Sequence, residues 1–352
     1  MALSGLHRER ARVGTSPPHS ILATYHFMKI LITGGSGFLG QLLARKLLER
    51  GTLVDANGDR QPITELVLVD VAQPGWMGDA RIRAVTGDIA DRALLESIID
   101  ADTAAIFHLA AIVSGQAEAD FDLGMRINLD ASRLLLEVCR ERGHKPRVLF
   151  TSSVAVYGGT LPPVVRDDTA LHPQSSYGTQ KAIAELLLSD YARRGFVDGR
   201  VVRLPTISVR PGKPNAAASS FVSGIIREPL NGQRSVCPVD PGTRLWLLSP
   251  ERATESLIAG CELNRELLGS WPVINLPGLS VGVAEMVAEL RKVSGDDVAG
   301  LIDWRIDSRI EQIVGSWPGA WDTSRGEELG LTADADFGAV ICAFLATQKR
   351  SE

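Results

Sequence analysis

The chain has 352 residues, of which 45% are hydrophobic and 22% charged, with a formal net charge of -5 and a pI of about 5.8. This composition is typical of a globular protein with a large buried core, and it lacks the basic excess of nucleic-acid-binding proteins. No apolar run is long enough to span a bilayer, and the four cysteines form neither a CxxC pair nor a cluster. We therefore expect a cytoplasmic protein with reduced thiols, no bound metal, and neither nucleic acid nor membrane as a partner.

Residues 1–27 differ from the rest of the chain. They are rich in arginine and show neither a periodic apolar pattern nor the hydrophobic segment of a secretory signal. Met28 stands directly before an apolar strand pattern. We interpret 1–27 as a disordered extension or a misassigned start; a targeting role is the less favoured alternative.

Strand and helix patterns alternate from residue 28 to about residue 205. Strands are expected at 29–33, 66–70, 82–85, 104–109, 147–151 and 199–204. Helices are expected at 41–50, 92–99, 123–142 and 175–194. This alternation predicts an α/β fold, a doubly wound parallel Rossmann-type sheet covered by helices on both faces.

The pattern changes after about residue 205, where prolines divide the chain into short pieces. Helical patterns return at 249–263, 283–293, 321–329 and 337–346. We predict a Rossmann domain at 28–205. Residues 206–352 are expected to form mainly a smaller, partly discontinuous α/β substrate domain, with some segments packing back on the Rossmann domain.

A glycine-rich segment, TGGSGFLG at 33–40, stands between the first strand and the first helix. In this position glycines let the backbone approach a pyrophosphate, and the helix N-terminus offers free N–H groups and a positive dipole end. The segment predicts a dinucleotide site that includes Gly34, Gly37, Phe38 and Leu39. A purely structural turn is the alternative.

Asp70 ends the next predicted strand. A carboxylate there can accept hydrogen bonds from the adenosine ribose and repel a 2′-phosphate, which favours NAD over NADP. Asp70 lies 30 residues after Gly40, beyond the usual spacing of about 20, and an inserted loop at 55–64 would explain the excess. A solvated strand-end acid is the alternative. Further cofactor contacts are expected at other strand ends, from Asp88, Ile89, Leu109, Ala110, Ala111 and Pro205.

The spacing of Tyr177 and Lys181 places both side chains on one face of a helix, one turn apart. A neighbouring ammonium favours a phenolate and should lower the tyrosine pKa from about 10. Tyr177 can then exchange a proton with a substrate hydroxyl while a hydride moves, and Ser153 can orient the reacting oxygen. Lys181 can also bond the nicotinamide ribose. Tyr157 lacks a lysine four residues on and is the weaker base.

These motifs resemble the extended short-chain dehydrogenase/reductases, the group that includes nucleotide-sugar epimerases and dehydratases. The matching segments are 33–40, 87–89, 108–111, Asn128, 151–158 and 177–181. The resemblance covers about 28–345 and implies NAD as cofactor and Ser153, Tyr177 and Lys181 as a catalytic triad. It also implies that Asn128 organises the site, although a satisfied buried amide is an alternative. Relatives further suggest a homodimer through the helices at 123–142 and 175–194.

Two departures narrow the choice within this family. Val-Ala stands at 154–155, where the dehydratases carry an Asp-Glu pair, and Arg-Leu-Pro-Thr stands at 203–206, where epimerases usually carry Arg-Tyr-Phe-Asn. The segment 207–221 resembles a branch that acts on four-carbon sugar acids. This implies NAD-dependent oxidation of the C2 hydroxyl of D-erythronate to the 2-oxo acid. A nucleotide-sugar 4-epimerase with tightly bound NAD is the alternative.

A carboxylate substrate needs a cation, and the Pro-rich segment carries two. A guanidinium can hold a carboxylate by two parallel hydrogen bonds. Our order of candidates is Arg210, then Arg244, then Lys213, while Asn215 and Ser114 could bind substrate hydroxyls beside Ser153 and Tyr177. The alternative is that Arg210 and Lys213 form a solvated surface pair.

Overall fold

The computed structural model describes residues 28–349, so the extension expected at 1–27 lies outside the described residues. The strands are β1 (Met28–Thr33), β2 (Thr52–Val54), β3 (Arg60–Asp70), β4 (Ile82–Thr86), β5 (Thr103–His108), β6 (Arg147–Ser153), β7 (Asp198–Leu204), β8 (Thr206–Ile207), β9 (Ser235–Cys237), β10 (Arg244–Leu248), β11 (Val273–Asn275), β12 (Leu279–Gly282) and β13 (Ile302–Trp304). The helices are α1 (Phe38–Arg50), α2 (Arg92–Ile98), α3 (Ser114–Ala119), α4 (Phe121–Gly124), α5 (Ala131–Arg142), α6 (Ser176–Arg193), α7 (Ser220–Leu230), α8 (Pro250–Glu262), α9 (Arg265–Leu268), α10 (Val283–Ser294), α11 (Asp296–Ala299), α12 (Ser308–Gly315), α13 (Ser324–Glu328) and α14 (Phe337–Lys349).

An eight-stranded sheet organises the first part of the chain. Its order is β11-β7-β6-β5-β1-β3-β2, and β4 pairs with the C-terminal half of β3. All pairings in this sheet are parallel except that of β2 with β3. The chain runs outward from β1 through β3 and β4, then returns to β5 on the other side. This reversal beside β1 is the position where doubly wound sheets bind ligands, and the predicted α/β fold is confirmed.

Apolar side chains cover both faces of the sheet, as the nearly continuous apolar runs of parallel strands require. On one face α1 and α8 pack through Leu43, Leu47 and Leu257 against Ile30 and Ile32. On the other face α2, α5 and α6 contribute a second apolar cluster around Leu31. The helices therefore hold the sheet rigidly while its carboxyl edge stays available to polar residues.

Local sequence signals explain where several helices begin and end. The Ser175 hydroxyl accepts a hydrogen bond from the Gly178 backbone N–H at 3.2 Å and so starts α6. Ser249 caps α8 in the same way, with Pro250 at its first position. Helix α1 ends at Gly51, which has a φ of 69°.

The remaining strands form two small sheets, β12-β10-β8 and β13-β9. They surround a third apolar cluster that includes Val222, Met286 and Ile341. Two later elements belong to the large sheet instead, because β11 pairs with β7 and α8 covers the face shared with α1. The two parts of the chain therefore share a boundary along β7 and β8.

The expectation of an inserted loop at 55–64 is wrong, because part of that segment is a strand. β2 pairs antiparallel with the start of β3, with Val54 opposite Arg60. The Asp55 carboxylate closes the short connection by accepting the backbone N–H groups of Asn57 and Asp59 at 2.8 and 3.0 Å. The extra residues before Asp70 thus form a hairpin.

Two predicted helices also differ from the structure. The helix expected at 123–142 is divided into α4, a π-helical segment Met125–Asp130, and α5. The helix expected at 321–329 is reduced to α13, because Trp321 forms an isolated β-bridge with Val165. Local apolar spacing reveals neither the π-helical segment nor the contact of Trp321 with Val165.

Candidate active site

The carboxyl edge of the large sheet gathers the residues singled out in the sequence. Parallel strands end on the same side, so the segments after β1, β3, β4, β5, β6 and β7 meet there. In the described residues 28–349, no cluster of His, Cys, Asp or Glu is placed to hold a metal ion. No helix within the same residues is long and apolar enough to cross a membrane.

The glycine turn after β1 depends on close backbone contacts. Gly34 has a φ of 72°, and a Cβ on it would lie 2.9 Å from the Ala110 backbone nitrogen. A Cβ on Gly40 would come closer than 3.0 Å to the Gly34 carbonyl oxygen. The residue at the N-terminal cap of α1 is Gly37, which has no side chain to cap the helix. This arrangement leaves a backbone cradle and a helix N-terminus that fit a pyrophosphate.

Asp70 lies beside this turn. One oxygen of its carboxylate accepts the Ser36 backbone N–H at 3.1 Å, and the other accepts that of Ala72 at 3.4 Å. The Ser36 hydroxyl donates to the Ala72 carbonyl at 2.6 Å. The strand-end acid is therefore fixed against the glycine turn, where an adenosine ribose would be expected.

The other cofactor candidates lie at strand ends along the same edge. Leu109 donates its backbone N–H to the Thr33 carbonyl at 3.2 Å, and Ala110 and Ala111 follow half-buried. Ile89 and Pro205 are buried after β4 and β7. The structure thus places these residues around one edge, and their cofactor contacts stay predictions.

Asp88 is engaged by a cation that the sequence analysis did not single out. Arg126, in the π-helical segment, donates to the Asp88 carboxylate, and the Ala90 backbone N–H donates to its other oxygen at 2.8 Å. Burial raises the pKa of Asp88, but these two hydrogen bonds outweigh it and hold the pKa below its ordinary value. Asp88 therefore stays ionised and paired.

The three predicted catalytic residues are brought together where β6 ends and α6 begins. The Ser153 hydroxyl lies close enough to Tyr177 to influence the ionisation of the tyrosine. The Lys181 ammonium donates to the Thr151 carbonyl at 2.8 Å and lies 5.7 Å from the centre of the Tyr177 ring. A Cβ on Gly178 would come closer than 3.0 Å to the Ala155 carbonyl oxygen, so α6 packs directly against the segment that carries Ser153.

The pKa shifts differ from the sequence expectation. Burial raises the pKa of Tyr177 to about 12, opposed by the hydrogen bond from Ser153. Burial lowers the pKa of Lys181 to about 7, opposed by the negative charge of Glu185. The expected lowering of the tyrosine pKa is wrong because both groups lose hydration together.

A buried ion pair that sequence reasoning missed supports α6. Arg203 and Glu185 are each at most 1% exposed, and the guanidinium holds the carboxylate by bonds of 2.8 and 3.0 Å. Arg203 also donates to the Tyr157 hydroxyl, which donates to Asn275 at 3.0 Å. Tyr157 therefore has a packing and hydrogen-bonding role. The signal in the sequence was Glu185, four residues after Lys181.

A second buried network runs from β1 to the π-helical segment. Thr33 and His108 share a hydrogen bond of 2.7 Å, and His108 Nε2 lies 2.9 Å from the Ser132 hydroxyl. Ser132 donates to the Asn128 carbonyl at 2.8 Å, so it accepts from Nε2–H. The Asn128 amide donates to Gln180 at 2.7 Å. Asn128 is thus a satisfied buried amide that contacts the catalytic helix.

Arg210 begins the loop before α7. Its backbone N–H donates to the Ser223 hydroxyl at 3.0 Å, and its guanidinium donates to the Asn215 carboxamide at 3.4 Å. Burial, followed by the nearby Arg227 charge, lowers the pKa of Arg210. Within residues 28–349 its guanidinium donates to Asn215 and has no carboxylate partner, and its Nε is buried without a hydrogen bond. This arginine can therefore accept a ligand carboxylate.

The other substrate candidates have different surroundings. Arg244 is paired with Glu285 at 2.5 Å and donates to the Ser280 carbonyl at 2.9 Å. Lys213 is exposed. Ser114 is 6% exposed, and its hydroxyl accepts the Ala218 backbone N–H at 3.2 Å. Of the two arginines, Arg244 already has its charge compensated by a carboxylate, so Arg210 stays the first candidate for the substrate carboxylate.

The fold and the glycine turn are those of a Rossmann-type dinucleotide-binding enzyme. The sequence model of the NAD dependent epimerase/dehydratase family matches residues 30–246 of this chain. The chain belongs to this family, which uses an NAD-type cofactor.

Individual proteins within the family are similar to this chain over most of its length. A D-erythronate dehydrogenase from Cupriavidus necator is 65% identical over 320 residues, covering 90% of this chain and 98% of the relative. A second, from Haemophilus influenzae, is 48% identical, covering 90% and 99%. A crystal structure described as a nucleoside-diphosphate-sugar epimerase from Agrobacterium tumefaciens is 42% identical, has a TM-score of 0.83, and covers 95% of this chain and 96% of its own.

His108 should make the unfolding free energy depend on pH. Burial, with a smaller contribution from the Lys181 charge, lowers its pKa from 6.5 to about 3. Between these values the unfolded chain binds a proton that the folded chain does not, so stability falls as pH falls. We expect His108→Gln to reduce the loss of unfolding free energy between pH 7 and pH 5 by about 2 kcal/mol, measured by urea titration. His172→Gln, an exposed histidine, should leave the loss unchanged; equal losses in wild type and His108→Gln would contradict the argument.

Proposed function

We propose that this protein is an NAD-dependent D-erythronate dehydrogenase that oxidises the C2 hydroxyl to give 2-oxo-tetronate. The environment of the Arg210 side chain is the observation that carries the proposal. A half-buried guanidinium that has a buried, unbonded Nε and no carboxylate partner among the described residues suits a small free acid. The names of the two curated relatives support the same substrate.

In this proposal Tyr177 is the general base. It accepts the proton of the C2 hydroxyl, and Ser153, which lies beside Tyr177, orients that oxygen. Bound NAD supplies the acceptor for the C2 hydride. Lys181 stabilises the phenolate when its ammonium is protonated and holds the nicotinamide ribose. Ser114, Lys213, Asn215 and Arg244 stay secondary candidates for substrate contacts.

We also propose that NAD rather than NADP is the cofactor. The fixed position of Asp70 beside Ser36 supports this choice, because a carboxylate at the ribose repels a 2′-phosphate. Residues 28–205 would form the NAD-binding domain and residues 206–352 mainly the substrate domain. The return of β11 and α8 to the large sheet supports the expected mixing of the two.

A homodimer is the proposed assembly. Three large apolar side chains on the helical segments around α4 and α6 are exposed, Phe121 by 57%, Ile183 by 38% and Leu186 by 56%. Ile183 and Leu186 are three residues apart on one face of α6. Pairing these helices with their copies would bury that face.

The substrate proposal predicts NADH formation with free D-erythronate. A panel of four- to six-carbon aldonates and uronates, each with NAD and with NADP, is followed by NADH absorbance. Tyr177→Phe should lower kcat by about 100- to 10,000-fold because proton transfer is lost. Full turnover by Tyr177→Phe would contradict the general-base role. Silence of the wild type across the panel, with NAD copurifying, would favour the epimerase alternative.

The cofactor proposal predicts a change of preference in Asp70→Ala. Removing the carboxylate should lower the ratio of kcat/KM for NAD over NADP by about tenfold, equivalent to about 1.4 kcal/mol. Asp59→Ala, an exposed acid in the β2–β3 connection, is the matched control. An unchanged ratio in Asp70→Ala would show that this carboxylate does not determine the preference between NAD and NADP.

The dimer proposal predicts that a charge on the α6 face separates the subunits. Leu186→Glu should give the monomer mass by light scattering, because an ionised side chain buried in an apolar interface is costly. Leu267→Glu changes a comparably exposed leucine, 64% exposed on α9, and should leave the mass unchanged. A monomeric wild type would contradict the assembly.

A further inference from the structure

The short helix α3 lies between the loop that carries Arg210 and the helix that carries Tyr177. At its start the Ser114 hydroxyl accepts the Ala218 backbone N–H at 3.2 Å. At its other end the Glu118 carboxylate accepts the Ser176 backbone N–H, the first of α6, at 2.9 Å. Ser114 and Glu118 are one helical turn apart, about 6 Å along the axis.

Gly115 allows a closer contact between α3 and the same loop. A Cβ at this position would come closer than 3.0 Å to the Ala216 carbonyl oxygen, and the neighbouring backbone nitrogen of Ala218 would be 3.7 Å away. The conflict is with backbone, so an alanine at 115 would displace the loop. Ala218 is 8% exposed, which shows that the loop is docked here.

Hydrogen bonds inside the loop connect this docking point to Arg210. The Asn215 carboxamide oxygen accepts both the Ala217 backbone N–H at 3.1 Å and the Arg210 guanidinium at 3.4 Å. On the other side, Arg227 of α7 donates to the Arg210 carbonyl at 2.7 Å. A shift of the loop at Ala216 would therefore reach the guanidinium.

We propose that Gly115 and Ser114 are positioning residues that fix the carboxylate-binding loop against the catalytic helix. The inference rests on the proposed function, because in a 2-hydroxy acid the carboxylate and the reacting hydroxyl are on adjacent carbons. Arg210 and Tyr177 must then keep a short, constant separation. Ser114 thus acts through the loop: its hydroxyl holds the Ala218 N–H.

The kinetic test compares three variants of the full chain. Gly115→Ala should lower kcat/KM for D-erythronate by about 10- to 100-fold, mainly through a higher KM, with KM for NAD unchanged, since a displacement of about 1 Å can cost this much. Ser114→Ala should show a smaller loss in the same direction. Gly315→Ala is the control, because that exposed glycine has no atom within 4 Å of an added Cβ. A kcat/KM within twofold of wild type, or an equal rise in both KM values, would overturn the proposal for Gly115.

A second measurement is independent of the substrate. Hydrogen exchange of the Ala218 amide should be faster in Ser114→Ala and Gly115→Ala and unchanged in Gly315→Ala. An unchanged rate in the first two variants would overturn the docking itself. If the wild type oxidises no sugar acid, the proposed function fails, while the exchange rates still decide whether α3 holds the loop.

Discussion

Lys181 is 1% exposed and lies 4.5 Å from the centre of the Phe150 ring, with its ammonium donating to the Thr151 carbonyl. Losing hydration disfavours the charged lysine and also the charged tyrosine beside it. Burial therefore favours the neutral forms of both Lys181 and Tyr177. Each neighbouring polar group affects their ionisation more strongly than it would in water. The catalytic behaviour of the site follows from how the surrounding residues compensate this burial.

Those neighbours compensate without adding a competing charge. The Glu185 carboxylate favours protonated Lys181, while its bidentate pairing with Arg203 prevents an uncompensated negative charge in the core. His108 is kept neutral by burial, so it does not repel the lysine. Through Glu185 and His108, two buried networks of hydrogen bonds thus act on Lys181, and both contact α6.

The sheet and its carboxyl edge could be predicted from the sequence because the signals are local. Apolar runs of five or six residues mark buried strands. The carboxyl ends of parallel strands then lie at one edge of the sheet, regardless of the conformation of the connecting loops. The glycine turn is recognisable because a strand precedes it and a helix follows it. The motif spacing placed Ser153, Tyr177 and Lys181 near one another, and the structure has both Ser153 and Lys181 beside Tyr177.

The environment of each charged residue could not be predicted, because its partners are distant in sequence. Arg210 and Arg244 are the same residue type, yet Arg244 pairs with Glu285, 41 residues away. Among the described residues the Arg210 guanidinium donates only to the neutral Asn215 carboxamide. A guanidinium whose charge is compensated gains little from a further carboxylate, whereas one that is partly buried and has no carboxylate partner gains more. The choice between two identical residue types therefore depends on the fold, and it favours Arg210.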